Sequence, residues 1–233
     1  MNTPNPSRWS ELFDQAIAII DQANDLGIGM DDWTFGGGTA LMLQIGHRDS
    51  HDIDLFISDA QYLPFLNPET QGFDLTLVPS AYETDGTRAL KIAFDGIGEI
   101  DFICCAPVSA RPSERAVVNG RVISRETPAE IIGKKIVFRG ASLQPRDMFD
   151  IAAAAHALGE DAIVESLLPL AEASGAALKV ARAMNPDFAK TIMGRLMARP
   201  DFRDLHLTAQ GIACRILERV ASQGHTTGAG TRE

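Results

Sequence analysis

Residues 35–57 read FGGGTALMLQIGHRDSHDIDLFI, and this stretch decides the fold. Gly36, Gly37 and Gly38 break the chain after a short apolar run at Trp33 to Phe35, and Thr39 to Ile45 resumes with the composition of a short helix. Asp52 to Ile57 then alternates polar and apolar side chains, the period of a strand. Residues two apart on a strand share a face, so Asp52 and Asp54 project side by side. Carboxylates that close repel unless a proton or a cation lies between them. Magnesium prefers carboxylate oxygens together with phosphate oxygens, which makes the pair read as half of a metal site. Upstream, glycine lets backbone amides approach a ligand, and a helix N-terminus presents free N–H groups to an anion. Thr39 can cap that helix or hydrogen-bond a phosphate oxygen. Taken alone, the three glycines also suit a plain strand-to-helix turn.

Outward from this core, apolar residues from Trp9 to Ala23 recur at helical spacing and predict a helix over residues 10–26. Downstream, Asp59 to Leu66 reads as a short helix. Phe73 to Val78, Ala89 to Phe94 and Glu99 to Cys105 read as strands, with Gly86 and Asp95-Gly96 as turns. Asp101 lies on the last of these strands. If that strand pairs beside the first, Asp101 stands next to Asp52 and Asp54, and three carboxylates can hold two metals. Glu99 shares the Asp101 face and could exchange roles with it. Asn119-Gly120 marks a hairpin within Val117 to Ile123.

At Thr127 the pattern turns helical. Thr127 can cap, Pro128 suits the first helical position and Glu130 completes a capping box. From Pro145 onward only helical patterns follow. The expected class is α+β: a mixed sheet flanked by helices over residues 1–125, a helical domain over 126–222 contributing to the cleft, and a flexible tail over 223–233.

The sequence has 233 residues, 45% of them hydrophobic and 22% charged, and this suits a soluble globular protein. No apolar run is long enough to span a bilayer, and Met1 to Ser10 lacks the order of a secretion signal. A cytoplasmic location is expected. Cys104, Cys105 and Cys214 have no metal or redox spacing and read as small apolar fillers. The net charge of −10 excludes a protein that coats nucleic acid with its whole surface. Arg111 to Arg146, however, holds eight basic side chains against three acidic ones, which suits either a local polyanion contact or a solvated face.

Gly37-Gly38, then Asp52-Ile53-Asp54, with a later strand carboxylate at Asp101, resembles the nucleotidyltransferase-fold superfamily. The fuller string, with Arg48 and Ser50 ahead of the carboxylates, is most similar to the AbiEii/AbiGii toxin family. Glu130-Ile131-Ile132-Gly133-Lys134-Lys135-Ile136 is similar to that family's lysine-bearing helix. Arg146-Asp147-Met148-Phe149-Asp150-Ile151 is similar to its Arg-Asp-x-x-Asp helix. The resemblance covers about residues 33–152. It implies a nucleotidyltransferase-like sheet and transfer of a nucleoside monophosphate from a nucleoside triphosphate to an acceptor, with Mg2+. Some relatives add nucleotides to the acceptor end of transfer RNA, and such an RNA would suit the basic 111–146 stretch. It further implies a toxin of a toxin–antitoxin or phage-defence system, with a cognate antitoxin protein.

The same resemblance distributes roles. Gly37, Gly38 and Thr39 would hold the triphosphate and Asp52 and Asp54 the metals, and Asp101 would complete the metal site or help deprotonate the acceptor hydroxyl. Lys135 would neutralise phosphate charge, with Lys134 competing. Arg146, Asp147 and Asp150 would line the cleft. Arg48 and Ser50 would touch phosphate or fix their loop. Each has a plainer reading: Arg146 with Asp150 as an i, i+4 pair, Asp147 as a helix-start acid, the lysines as surface groups. His47 and His51 read as polar loop residues and stay outside the site. The competing functions are transfer to a small molecule or a protein side chain, and a catalytically silent binding domain.

Overall fold

A computed structural model describes residues 7–227. By their internal contacts these residues form two compact units. The first comprises the chain up to Leu41, Ser50–Ala106 and Ser113–Glu126; the second comprises Met42–Asp49, Pro107–Pro112 and the chain from Thr127 on.

The first unit is built on a seven-stranded mixed sheet of order β3-β4-β5-β2-β1-β7-β6. Its strands are β1 (Trp33–Gly36), β2 (Ile53–Ile57), β3 (Ala81–Thr84), β4 (Ala89–Phe94), β5 (Gly98–Cys104), β6 (Ser113–Val118) and β7 (Arg121–Glu126). β1 runs antiparallel to β2, and β2 runs parallel to β5. Helix α1 (Trp9–Asp25) packs on β2 and β5. It buries the stripe Leu12, Phe13, Ala16, Ile19, Ile20 and Ala23 that the periodicity marks. On β2, Ile53, Leu55 and Ile57 are buried. Each such side chain is worth about 1.5–3 kcal/mol in removal from water, so this face anchors the strand and Asp54 must take the other. Helix α2 (Gly37–Ile45) follows β1 without a linker.

One expected strand is absent. Phe73–Val78 joins no ladder, and the edge strand β3 forms at Ala81–Thr84 instead. The reason lies on α1. Gln15 Oε1 accepts the Thr76 and Leu77 amides, while Gln22 accepts the Asp74 amide and donates to its carbonyl. Two glutamine side chains thus meet the backbone demand that a neighbouring strand would otherwise satisfy. The hairpin at Asn119-Gly120 forms with both residues at positive φ, 47° and 80°, the demand of a type I′ turn.

The second unit is helical: α4 (Pro128–Arg139), α5 (Pro145–Leu158), α6 (Glu160–Leu167), α7 (Ala171–Ala183), α8 (Pro186–Met193) and α9 (Ala209–Thr227). (The single turn Pro68–Gln71 in the first unit is α3.) Thr127 caps α4 by accepting the Glu130 amide. Glu130 does not return the bond as a capping box would. Its buried carboxylate accepts the Val108 and Ser109 amides and fixes the 107–112 segment to α4. The tail expected from 223 starts as helix, since α9 continues to Thr227; residues 228–233 lie outside those described. Among the described residues no helix is long and apolar enough to cross a membrane.

Candidate active site

Register places four positions side by side on one face of the sheet. Gly36 of β1 faces Asp54 of β2, Asp54 faces Asp101 of β5, and Asp101 faces Lys91 of β4. The two carboxylates therefore come from separate strands, which pair side by side, and share an unbroken row. The glycines form the border. Gly37 sits at φ 68°, and a Cβ there would lie 1.8 Å from Asp54 Oδ2. Glycine at this position is demanded twice, by the backbone angle and by the carboxylate packed against it. Gly38 stands in the first turn of α2.

Burial shapes the electrostatics. Asp101 is pushed up to about 6, first by its removal from water and then by the charge of Asp54, with Lys91 opposing both. Lys91 Nζ lies 3.4 Å from Asp101 Oδ2 and is also hydrogen-bonded to Glu99. Burial works to lower the Lys91 ammonium, but the Glu99 hydrogen bond and the charges of Asp101 and Glu99 prevail and raise it.

Asp52 stands just before β2 and plays a different part from its neighbour. Its Oδ1 accepts the Glu99 amide at 3.1 Å, and its carbonyl accepts the Thr39 hydroxyl at 2.6 Å. Among the described residues no three acidic, histidine or cysteine side chains gather as a metal cage, so the expected trio of Asp52, Asp54 and Asp101 is not a closed cluster. What stands together is the pair Asp54–Asp101. Thr39 is fully buried, and its hydroxyl is used as a donor to the backbone ahead of β2, so it holds the turn instead of facing a phosphate. An open depression of about 510 Å3 borders Asp52, walled by His51, Ser80 and the β4–β5 turn.

The donor set fits a magnesium-like ion. Both groups of the pair are hard oxygen donors, and Asp101, raised first by burial and then by the charge of Asp54, is a carboxyl that a divalent cation would favour in its charged form. Two protein carboxylates with phosphate oxygens completing the shell is the usual magnesium arrangement in phosphoryl chemistry.

In the second unit the structure gathers Arg48, Lys135, Asp147 and Asp150, together with His47. Asp150 is fully buried and accepts Arg48 Nε and Nη2 at 2.8 and 3.0 Å, His47 Nε2 at 3.0 Å and Lys135 Nζ at 3.1 Å. Burial alone would push the Asp150 carboxyl up, but Arg48, Lys135 and the His47 hydrogen bond outweigh it and hold it well below the usual carboxylate range. His47 is lowered, chiefly by burial, so it stays neutral and donates from Nε2. Asp147, also buried, accepts Lys135 Nζ at 3.0 Å and the Gln144 amide at 3.1 Å, which closes the start of α5. Asp147 is thus a helix-start acid paired to a lysine. Of the two competing lysines, Lys135 joins this network, while Lys134 lies 3.6 Å from Glu130. Arg48 is clamped by Asp150 and is 8% exposed, so it fixes its loop, and Ser50 is also buried. Arg146 is exposed.

Three participants escape a reading of the sequence. Lys91 is a single cation on an apolar alternating strand, and that oddity is the available signal. Glu126, 1% exposed, accepts the Thr34 hydroxyl at 2.9 Å, and a Cβ at Gly36 would lie 2.2 Å from its Oε2. Gly36 is therefore kept small by a second carboxylate on the other flank of the turn. His47, expected as a polar loop residue, is instead buried in the Asp150 network.

A family model described as "Nucleotidyl transferase AbiEii toxin, Type IV TA system" matches residues 21–206. Comparison with curated proteins finds no match. Among solved structures, JHP933 from Helicobacter pylori is similar at TM-score 0.48 and 14% identity, covering 98% of this chain and 100% of that one. MenT4, a nucleotidyltransferase toxin of Mycobacterium tuberculosis, is similar at TM-score 0.48 and 16% identity, covering 97% of each chain. The antibiotic-resistance factor ANT(2'')-Ia is similar at TM-score 0.40 and 15% identity, covering 94% of this chain and 92% of that one.

Proposed function

The chain belongs to the AbiEii nucleotidyl transferase toxin family, and on that premise we propose that it transfers a nucleoside monophosphate from a nucleoside triphosphate to the 3′ end of transfer RNA, with Mg2+ held at Asp54 and Asp101. The family supports the coarser statement directly: the protein is a nucleotidyltransferase of a type IV toxin–antitoxin system, with a nucleotide as substrate and an antitoxin as counterpart. The observation that carries the finer reading is the Asp54–Asp101 register pair packed against the Gly37 turn.

A bound magnesium ion would neutralise phosphate charge and lower the pKa of an acceptor hydroxyl. The residues of the chain do the rest. Asp54 and Asp101 present their oxygens from adjacent strands, which need no rearrangement to meet the ion. Asp52 holds the strand entry, its Oδ1 accepting the Glu99 amide. The first amides of α2, at Gly37 and Gly38, have no acceptor within their own helix and face the triphosphate. Within the basic stretch from Arg111 to Arg146, Lys134 and Lys135 are buried beside carboxylates, so the charge for a polyanionic acceptor rests on the arginines.

The test is direct. The protein is incubated with α-labelled triphosphates, Mg2+ and total RNA. Label in the transfer-RNA band, lost in Asp54→Ala and on chelation, is the expected result. Label in protein or in a small metabolite would move the acceptor assignment, and absence of any transfer would defeat the proposal.

A further inference from the structure

Lys91 stands apart from every role assigned so far. It is the basic residue of β4, whose sequence is ALKIAF, and its same-face neighbours Ala89 and Ala93 are small enough for its stem to lie across the sheet. Its register partner on β5 is Asp101. The ammonium bridges Asp101 and Glu99, which are two apart on β5 and so share a face.

Resting on the magnesium reading above, we infer that Lys91 is a tethered counter-cation that competes with the divalent metal for Asp101 and yields the carboxylate by moving onto Glu99. Three observations carry this. First, the Asp54–Asp101 pair repels itself unless a proton or a cation is near, and the Lys91 ammonium supplies positive charge at 3.4 Å from Asp101. Second, Glu99 already accepts the ammonium beside Asp101, so retreat requires a shift of the ammonium and no strand movement. Third, the Lys91 side chain is 31% exposed, so it keeps room to move. Lys91 is thus a positioning residue: it acts on the metal through Asp101, and Glu99 acts through Lys91. The consequence is a site that does not hold a free cation tightly until a triphosphate brings one in.

Mn2+ binding to the nucleotide-free protein, followed by electron paramagnetic resonance, tests this without any turnover. Lys91→Gln is expected to bind Mn2+ about ten-fold more tightly than wild type, and Lys91→Arg to stay within about two-fold. Glu99→Gln should weaken binding in the wild-type background and have no effect in the Lys91→Gln background, because its influence runs through Lys91. Thermal melts of all variants check that the fold is kept, and Lys91→Met serves if Lys91→Gln does not fold. Unchanged or weaker Mn2+ binding in Lys91→Gln and Lys91→Met overturns the inference while leaving the metal site intact. An absence of Asp54-dependent Mn2+ binding in wild type and both Lys91 variants overturns the metal reading itself, and this inference with it.

Discussion

At Gly37 two independent constraints meet: φ is 68°, and the Asp54 carboxylate occupies the space a Cβ would take. Alanine in the left-handed region costs about 1–2 kcal/mol from the backbone alone. In Gly37→Ala the Tm is expected to fall by about 2–8 °C, and nucleotide transfer to drop at least about ten-fold, because the methyl group must displace Asp54; differential scanning fluorimetry and the labelling assay read both. Asp101 makes the second prediction, one of pH. Its carboxyl stands at about 6 against an ordinary 3.8, so the folded state holds its proton more tightly than the unfolded chain does. Its contribution to stability is present in full below about pH 4 and is lost as pH rises through 6. The expected loss is on the order of 3 kcal/mol in metal-free protein, and Asp101→Asn should flatten denaturation midpoints between pH 4 and 7. The carboxylates themselves were legible in the sequence, because alternation on a strand fixes which residues share a face. Glu126 was not, and Lys91 only as an odd cation on an apolar strand, because their importance comes from partners on neighbouring strands.

Among the elements, α4 and α5 are joined by charge as much as by apolar contact. Lys135 of α4 reaches Asp147 and Asp150 of α5, and Arg48 closes on Asp150 from the loop after α2. Removing one member of a buried set leaves its partners charged and unpaired, which costs about 3–5 kcal/mol. Asp150→Asn is therefore expected to lower unfolding free energy by that amount in urea titrations. Asp147→Asn should cost less, since Lys135 keeps Asp150. The sign against pH is opposite to that of Asp101: Asp150 is depressed, so its stabilisation is complete above its unfolded pKa and disappears only in strong acid. Elements with their own chemistry at the ends were readable, such as the Asn119-Gly120 turn and the Thr127 cap. Phe73–Val78 was not, because its apolar alternation is that of a strand while its hydrogen bonds go to Gln15 and Gln22 of a distant helix.

For the whole molecule, the division into units does not follow a single cut in the chain. A change from strands to helices near residue 125 is visible in the sequence, and the long helical stretch of the second unit does begin at Thr127. Two short segments depart from that order, Met42–Asp49 and Pro107–Pro112, which belong with the helices. Their reasons are specific side chains. His47 and Arg48 are anchored on Asp150, Asp49 donates its amide to the Met197 carbonyl, and the Val108 and Ser109 amides are held by Glu130. Partners so far apart in sequence, 102 residues for Arg48 and Asp150, leave no local trace. A fragment ending at residue 126 would therefore lose every one of these anchors while keeping the sheet. Its residues 42–49 would expose a buried arginine and histidine, and they connect directly to Asp52. We expect fragment 1–126 to melt without a cooperative transition by circular dichroism and to show no Asp54-dependent Mn2+ binding, although it contains Gly37, Asp52, Asp54 and Asp101. A cooperative fragment that binds Mn2+ as the full chain does would show that the helical unit's hold on these segments is dispensable for forming the carboxylate pair.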